Sequence, residues 1–249
     1  MGLVDTYKED IYKVRSYECT STGDIHFPQL CNYLQEIASN HADELGFSKK
    51  DFVGENLTWV MTRLRVKVNR YPIWNEPLKI LTFPWGGKKL FAYRDFVVTG
   101  ADGQQIAVAS SEWMTINLAE RKAVVIPPQV LEASNTVKEP VFGASPFSRF
   151  AYPTEAEAEE RREFPVRFSQ IDLNAHVNNV RYIEWMLDSS PEILEGKQVQ
   201  EMELVFRSET MLGDVVTAKS VAQEDGVRMH QIASAAGVTH VLARTHWKQ

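Results

Sequence analysis

Pro28–Gly46 reads PQLCNYLQEIASNHADELG, and Thr58–Pro72 reads TWVMTRLRVKVNRYP. In the first stretch Leu30, Tyr33, Leu34, Ile37, Ala38, His41 and Leu45 fall on one face at helical spacing, and Gly46 is a good stop. In the second, Val60, Thr62, Leu64, Val66 and Val68 alternate with Met61, Arg63, Arg65, Lys67 and Asn69. Period two means a strand with one buried face. A long amphipathic helix followed by such strands predicts an α+β arrangement, with the helix packed on one face of a curled antiparallel sheet.

Outward from this core, Tyr7–Tyr17 reads as a strand before the helix, and Leu78–Phe83, Leu90–Thr99 and Gln105–Asn117 as strands after it. Gly86-Gly87 marks a turn, and GADG at 100–103 a short hairpin. Prolines 127, 128, 140, 146 and 153 and the acidic run Glu155–Glu160 interrupt the rhythm, so 127–160 reads as a linker. Val141, Phe142, Phe147, Phe150 and Tyr152 make it apolar enough to dock. The order then repeats: a short strand at Phe164–Phe168, a helix at Asn178–Asp188, and strands at Gln198–Arg207, Val215–Gln223, Val227–Ala235 and His240–Lys248. Asp24 and Glu36 have the same separation as Asp172 and Glu184, and Ala109–Trp113 lines up with Ala243–Trp247. The expectation is a duplicated domain: 1–126, a linker over 127–160, and 161–249.

The chain has 249 residues, 44% hydrophobic and 24% charged, with a net charge of -6. That composition is globular, and the negative balance argues against a general nucleic-acid binder. Cys19 and Cys31 form no CxxC and read as reduced thiols. No apolar run is long enough to span a membrane. The N-terminal MGLVDTYKED looks like neither a secretory signal nor a transit peptide, and its fit to a myristoylation pattern is read as chance. Asn56-Leu57-Thr58 is a glycosylation sequon only in a secreted protein. The expected compartment is the cytoplasm. His26, His41, His230, His240 and His246 lack metal-ligand spacing, so no metal is expected. The six tryptophans read as core. Arg63, Arg65, Lys67 and Arg70 read as a solvated strand face, or as a patch that meets an acidic partner.

The densest polar segment is FSQIDLNAHVNNVRYIEWMLDS, residues 168–189. Asp172, Asn174 and His176 alternate along what reads as an extended stretch, and Asn178 and Asn179 open the helix. Helix capping accounts for one or two such residues. Five, one of them a histidine, point to chemistry. Histidine works as a general acid or base near neutral pH, and a helix start offers N–H donors for an oxyanion.

DLNAHVNNVRYIEW resembles the Asp-x-Asn-x-His-x-Asn-Asn segment of acyl-ACP thioesterases, and WVMTRLRVKVNRYPIWNEPLKILTFP resembles the strand pair of their first half. The resemblance implies two tandem hotdog domains that hydrolyse a fatty-acyl thioester on acyl carrier protein, bound through phosphopantetheine, with no cofactor. It implies Asp172, Asn174, His176 and Glu209 as catalytic residues. Glu209 alone would pass for a solvated turn residue. Thr210 stands where plant members have cysteine. Threonine is a poor nucleophile without a dedicated base, which favours attack by water assisted by Glu209 and His176. Thr210 and Asn179 would contact substrate. With Asp24 against Asp172, His26 against Asn174 and Pro28 against His176, the first half lacks a base and would house the acyl chain beside Leu30, Leu34, Leu64 and Val66. An acyl-CoA thioesterase or another hotdog enzyme, such as a hydroxyacyl dehydratase, is the alternative, followed by a non-catalytic lipid binder. A homodimer stays open.

Overall fold

The computed structural model describes residues 6–48, 56–134, 138–153 and 158–248. Residues 1–5 of the N-terminal segment, and Glu155 and Glu157 of the acidic run, lie outside them. The chain forms two compact units, Met1–Pro146 and Phe147–Gln249. They divide inside the stretch that reads as linker.

In the first unit, β1 (Lys8–Lys13) leads into α1 (Phe27–Glu44), then β2 (Leu57–Val68), β3 (Pro77–Lys88), β4 (Phe91–Thr99), β5 (Gln105–Asn117) and β6 (Lys122–Val124). The antiparallel order is β1-β3-β4-β5-β2, with β6 on β5. α1 begins with Pro28 in its first turn, where a missing N–H costs nothing. It ends with Gly46 at φ 74, while Phe47 N returns to Ala42 O at 2.8 Å. It packs on β1 and β3. Leu30, Leu34 and Ile37 of the helix are buried, as are Leu64 and Val66 of β2. Each fully buried aliphatic side chain contributes about 1.5–3 kcal/mol.

Four expectations need correction here. Gly86-Gly87 is not the turn: both residues lie inside β3, at a register shift against β4. A Cβ on Gly87 would meet Phe91 O at 2.7 Å and Leu131 Cδ2 at 2.5 Å, so glycine permits a close packing of backbone there. The 127–160 stretch contains α2 (Pro128–Ala133), whose Val130 packs with Ala92 and Ile126. The tryptophans are not all core, for Trp74 is exposed. The basic run is not simply solvated either. Arg65 lies 4.2 Å over the Phe142 ring and donates to Pro146 O at 2.7 Å, and Arg70 forks onto Glu76 at 2.7 and 3.0 Å. The buried Asp95 carboxylate accepts from Val141 N at 2.7 Å, from Trp85 and from Ser110, which pins the start of the connecting segment to this unit.

The second unit runs β7 (Glu160–Pro165), α3 (Asn179–Asp188), α4 (Pro191–Leu194), β8 (Val199–Phe206), β9 (Val215–Ala222), β10 (Val227–Ser234) and β11 (Thr239–Trp247). Its antiparallel order is β8-β11-β10-β9-β7. Phe168, expected to end the first strand, sits instead in a single 3₁₀ turn and is exposed. Glu203, buried, accepts from Ser148 N and from Arg244, at 2.7 and 3.0 Å. This is the counterpart of the Asp95 anchor. The sheets repeat in register: Ala109 faces Val66 as Ala243 faces Leu204, and Trp113 faces Met61 as Trp247 faces Val199.

Among the described residues no helix is long and apolar enough to cross a membrane, and no group of three metal-ligating side chains converges. Cys31 is buried and its thiol is pushed up by desolvation.

His230 is 0% exposed, with Nε2 at 2.8 Å from Thr245 Oγ1. Burial, aided by Arg228, lowers its pKa from 6.5 to about 3. The folded state thus binds fewer protons here than the unfolded chain. This contribution to stability is complete above 6.5 and is lost as the pH falls from there toward 3. Glu76, lowered from 4.5 to about 2 chiefly by Arg70, acts the same way only below 4.5. The melting temperature should therefore fall between pH 7 and pH 5, and His230→Gln should flatten that fall. Equal slopes in the two proteins would show that His230 is not the group responsible.

Candidate active site

The candidate residues sit on two backbone segments of the second unit. The first runs from the end of β7 to α3. Arg167 N bonds to Gln170 Oε1 at 2.8 Å and closes the 3₁₀ turn. Ile171 and Val177 then form an isolated bridge, and the residues between them make a tight turn. Asp172 N donates to His176 O (2.9 Å), Ala175 N to Asp172 O (3.0 Å), and Asn174 N to Asp172 Oδ1 (2.7 Å). Ala175 sits at φ 62. Asp172–His176 is thus a turn rather than the extended stretch that the alternation suggests. The short Asp172 carboxylate bonds the backbone two residues on and stabilises the turn locally. Leu173 at the apex is 97% exposed and Asn174 is exposed beside it.

Asn178 is the N-cap of α3: its Oδ1 accepts from Val180 N at 2.9 Å. Asn179, in the first turn, is half-buried. The second segment is the loop between β8 and β9. Val177 N donates to Thr210 O at 3.0 Å, and Val166 N to Asp214 O at 2.8 Å, which clamp the loop against the turn. Asp214 Oδ2 accepts from Met211 N at 2.8 Å and stiffens the loop from within. His176 Nε2 then lies 3.2 Å from Glu209 Oε2, with 26% and 33% of their side chains exposed. A solvent-reachable imidazole held against a carboxylate can take a proton from water and return it to a leaving group. Thr210 is 0% exposed, and its Oγ1 accepts the Tyr182 hydroxyl at 2.8 Å. Burial pushes the Tyr182 phenol up to about 12, so it stays a donor.

The structure thus brings His176 and Glu209 into contact, sets Asp172 in the turn and leaves Asn174 exposed beside its apex. Leu30, Leu34, Leu64 and Val66 are buried in the first unit.

The same backbone recurs there with different side chains. Arg15 N bonds to Glu18 Oε2, Thr20 N to Asp24 O, Gly23 N to Thr20 O, Thr22 N to Thr20 Oγ1, Ile25 N to Pro72 O and Val14 N to Glu76 O. Cys19 and Ile25 form the matching bridge. These bonds set Thr20 against Asp172, Thr22 against Asn174, Asp24 against His176, His26 against Asn178 and Tyr71 against Glu209. The sequence pairing of Asp24 with Asp172 and of Glu36 with Glu184 is therefore off by four residues. An acidic residue that happened to recur set the wrong register. The first unit offers no imidazole in the place of His176 and no carboxylate in the place of Glu209: the residues there are Asp24 and Tyr71, not Pro28.

Family models for the acyl-ACP thioesterase N-terminal domain and C-terminal domain match residues 5–134 and 154–249. A palmitoyl-acyl carrier protein thioesterase of Gossypium hirsutum is 29% identical over 95% of this chain, and oleoyl-acyl carrier protein thioesterase 2 of Arabidopsis thaliana is 28% identical over 97%. Both relatives are chloroplastic, and the chain spans 62% and 70% of their lengths. By structure it is similar to an acyl-ACP thioesterase from Bacteroides thetaiotaomicron (TM-score 0.87, 22% identity, all of both chains). It is also similar to the 12:0-ACP thioesterase from Umbellularia californica, with a TM-score of 0.89 and 22% identity over 100% of this chain and 99% of that one.

Sequence reasoning missed Tyr182 and the division of labour between the two asparagines. The asparagine pair before the apolar positions that start at Val180 signals a cap, but nothing in the sequence says which of Asn178 and Asn179 supplies it. Tyr182 gave no signal, because an aromatic on an apolar helix face reads as core. Asn178→Ala should lower stability by about 1 kcal/mol through loss of the cap. A denaturant midpoint equal to that of the parent would show that the cap contributes nothing.

Proposed function

We propose, for a chain that belongs to the acyl-ACP thioesterase family, that it hydrolyses fatty-acyl thioesters borne by acyl carrier protein. The architecture proposed is two tandem hotdog domains, with the catalytic set in the second. The observation that carries this reading is the 3.2 Å contact of His176 Nε2 with Glu209 Oε2, made by two separate segments within the region that the C-terminal family model matches.

In the proposed reaction the His176–Glu209 pair takes a proton from water as its oxygen attacks the thioester carbonyl. The oxyanion is met by N–H donors at the start of α3, where the dipole also favours negative charge. Collapse breaks the C–S bond, the pair returns the proton to the thiolate, and a free fatty acid and the carrier thiol leave. Asn174 orients substrate or water from beside the apex of the turn, and Asp172 shapes that turn. Asn179 contacts substrate at the helix start. Thr210 takes no covalent part and, fully buried with its hydroxyl oxygen accepting from Tyr182, makes no substrate contact, contrary to what the resemblance implies for it. The carrier presents its acyl group on phosphopantetheine. Cytoplasmic location and the use of no cofactor complete the reading.

The first unit is proposed to receive the acyl chain. Leu30, Leu34, Leu64 and Val66 are 0–4% exposed, so an incoming chain would have to part them, and their bulk would limit its length. Enlarging them one at a time should shift released fatty acids to shorter chains, at a packing cost of about 1–3 kcal/mol. An unchanged product profile across folded variants would reject that assignment.

His176→Ala and Glu209→Gln should each lower thiol release from acyl-ACP by at least about 10²-fold, while Asp24→Ala should leave it nearly intact. Near-parental turnover by folded His176→Ala would remove the pair from the mechanism. Faster release from acyl-CoA than from acyl-ACP of the same chain length would favour the alternative carrier.

A further inference from the structure

We infer that the buried hydrogen bond between Tyr182 and Thr210 is a strut that sets Glu209 against His176, which makes both of its members positioning residues for the reaction. The inference rests on the function proposed above and deepens it.

Thr210 is the point where three elements meet. Its carbonyl accepts from Val177 N at 3.0 Å, its hydroxyl accepts from Tyr182 of α3 at 2.8 Å, and its own backbone continues from Glu209. Val177 follows His176 directly, as Thr210 follows Glu209. Any drift of Thr210 therefore moves Glu209 relative to the imidazole, with no slack residue between. The donor side is stiff. The Tyr182 ring meets Trp185 edge-on at 5.4 Å and Phe206, the last residue of β8, edge-on at 6.2 Å. A ring held on two sides aims its hydroxyl in one direction.

The first unit supplies the control. The hydrogen bonds that recur within each unit put Leu30 where α3 has Tyr182, and Pro72 where the loop has Thr210. The backbone bond is kept as Ile25 N→Pro72 O at 2.9 Å, and Leu30 is fully buried. The same turn, helix start and loop thus close around an apolar pair. The scaffold has no need of the two hydroxyls. Burying them only breaks even if each finds its partner, and the net gain of such a bond is small. The polar pair occurs in the unit that has the histidine and the glutamate, and is missing from the unit that has neither.

The test is steady-state hydrolysis of a long-chain acyl-ACP by the full chain, followed by thiol release, for Tyr182→Phe, Thr210→Val, their double variant and Thr210→Ser. Melting temperatures are measured alongside. Tyr182→Phe removes one oxygen atom and carries the test alone if Thr210→Val does not fold. Each single variant should lower kcat about tenfold, less than loss of His176 or Glu209, as expected for a misplaced rather than a missing group. KM should stay within about twofold, since the substrate contacts remain. Thr210→Ser keeps the hydroxyl and should restore most of kcat. The double variant should be no slower than the slower single, because either change breaks the same bond. Parental kcat in folded single variants, or losses that add in the double, would overturn the strut while leaving the hydrolase reading in place. A parent chain that releases no thiol would overturn both.

Discussion

Val177 donates its N–H to the carbonyl of Thr210 at 3.0 Å, and through that bond the turn carrying His176 is held against the loop carrying Glu209. The two segments are distant in sequence and belong to different connections, one entering α3 and the other joining β8 to β9. Neither is part of a ladder. What keeps them in place is a short set of backbone bonds, with Val166 N→Asp214 O beside the first, and the Tyr182–Thr210 hydroxyl bond. The exposure of the His176–Glu209 pair follows from this construction. Backbone atoms do most of the anchoring, and both side chains remain partly exposed to solvent.

Because most of the anchoring is done by backbone, it tolerates a change of side chains. The first unit keeps each of these backbone bonds, with Asp24 and Tyr71 in place of His176 and Glu209. A repeated scaffold can thus carry different side chains without losing its shape. In the first unit the inner helix face carries Leu30, Leu34 and Ile37, all buried. In the second, α3 places Tyr182 among Trp185 and Phe206 and spends one ring hydroxyl on the loop. The connecting segment is fixed to each unit by a buried carboxylate accepting a backbone N–H, Asp95 from Val141 and Glu203 from Ser148.

Periodicity made most of the architecture legible. The helix from Pro28, the alternation from Thr58 to Val68 and the second round of strands are long, regular signals, and the structure follows them within a few residues. Where backbone conformation depends on local hydrogen bonding, pattern misled. Asp172, Asn174 and His176 alternate as a strand would, yet Asp172 bends them into a turn through its own carboxylate. Gly86-Gly87 has the look of a turn but lies within a bulged strand, where a Cβ on Gly87 would collide with Phe91 O and Leu131. The register of the repeat was misread for a related reason. Recurring acidic residues are a weak marker, whereas the backbone bonds that define equivalence leave no trace in composition. His176 stood out by its setting. Glu209 did not, since a glutamate before a Gly-Asp turn is ordinary, and only the family resemblance singled it out.

The claim that the rest depends on is direct attack by water, driven by the His176–Glu209 pair with no covalent acyl-enzyme. Intact-protein mass spectrometry during a quenched single turnover of acyl-ACP tests it most directly. Free fatty acid and carrier thiol should appear together while the mass of the chain stays unchanged throughout. An acyl group caught on the chain, at Thr210 above all, would contradict the account.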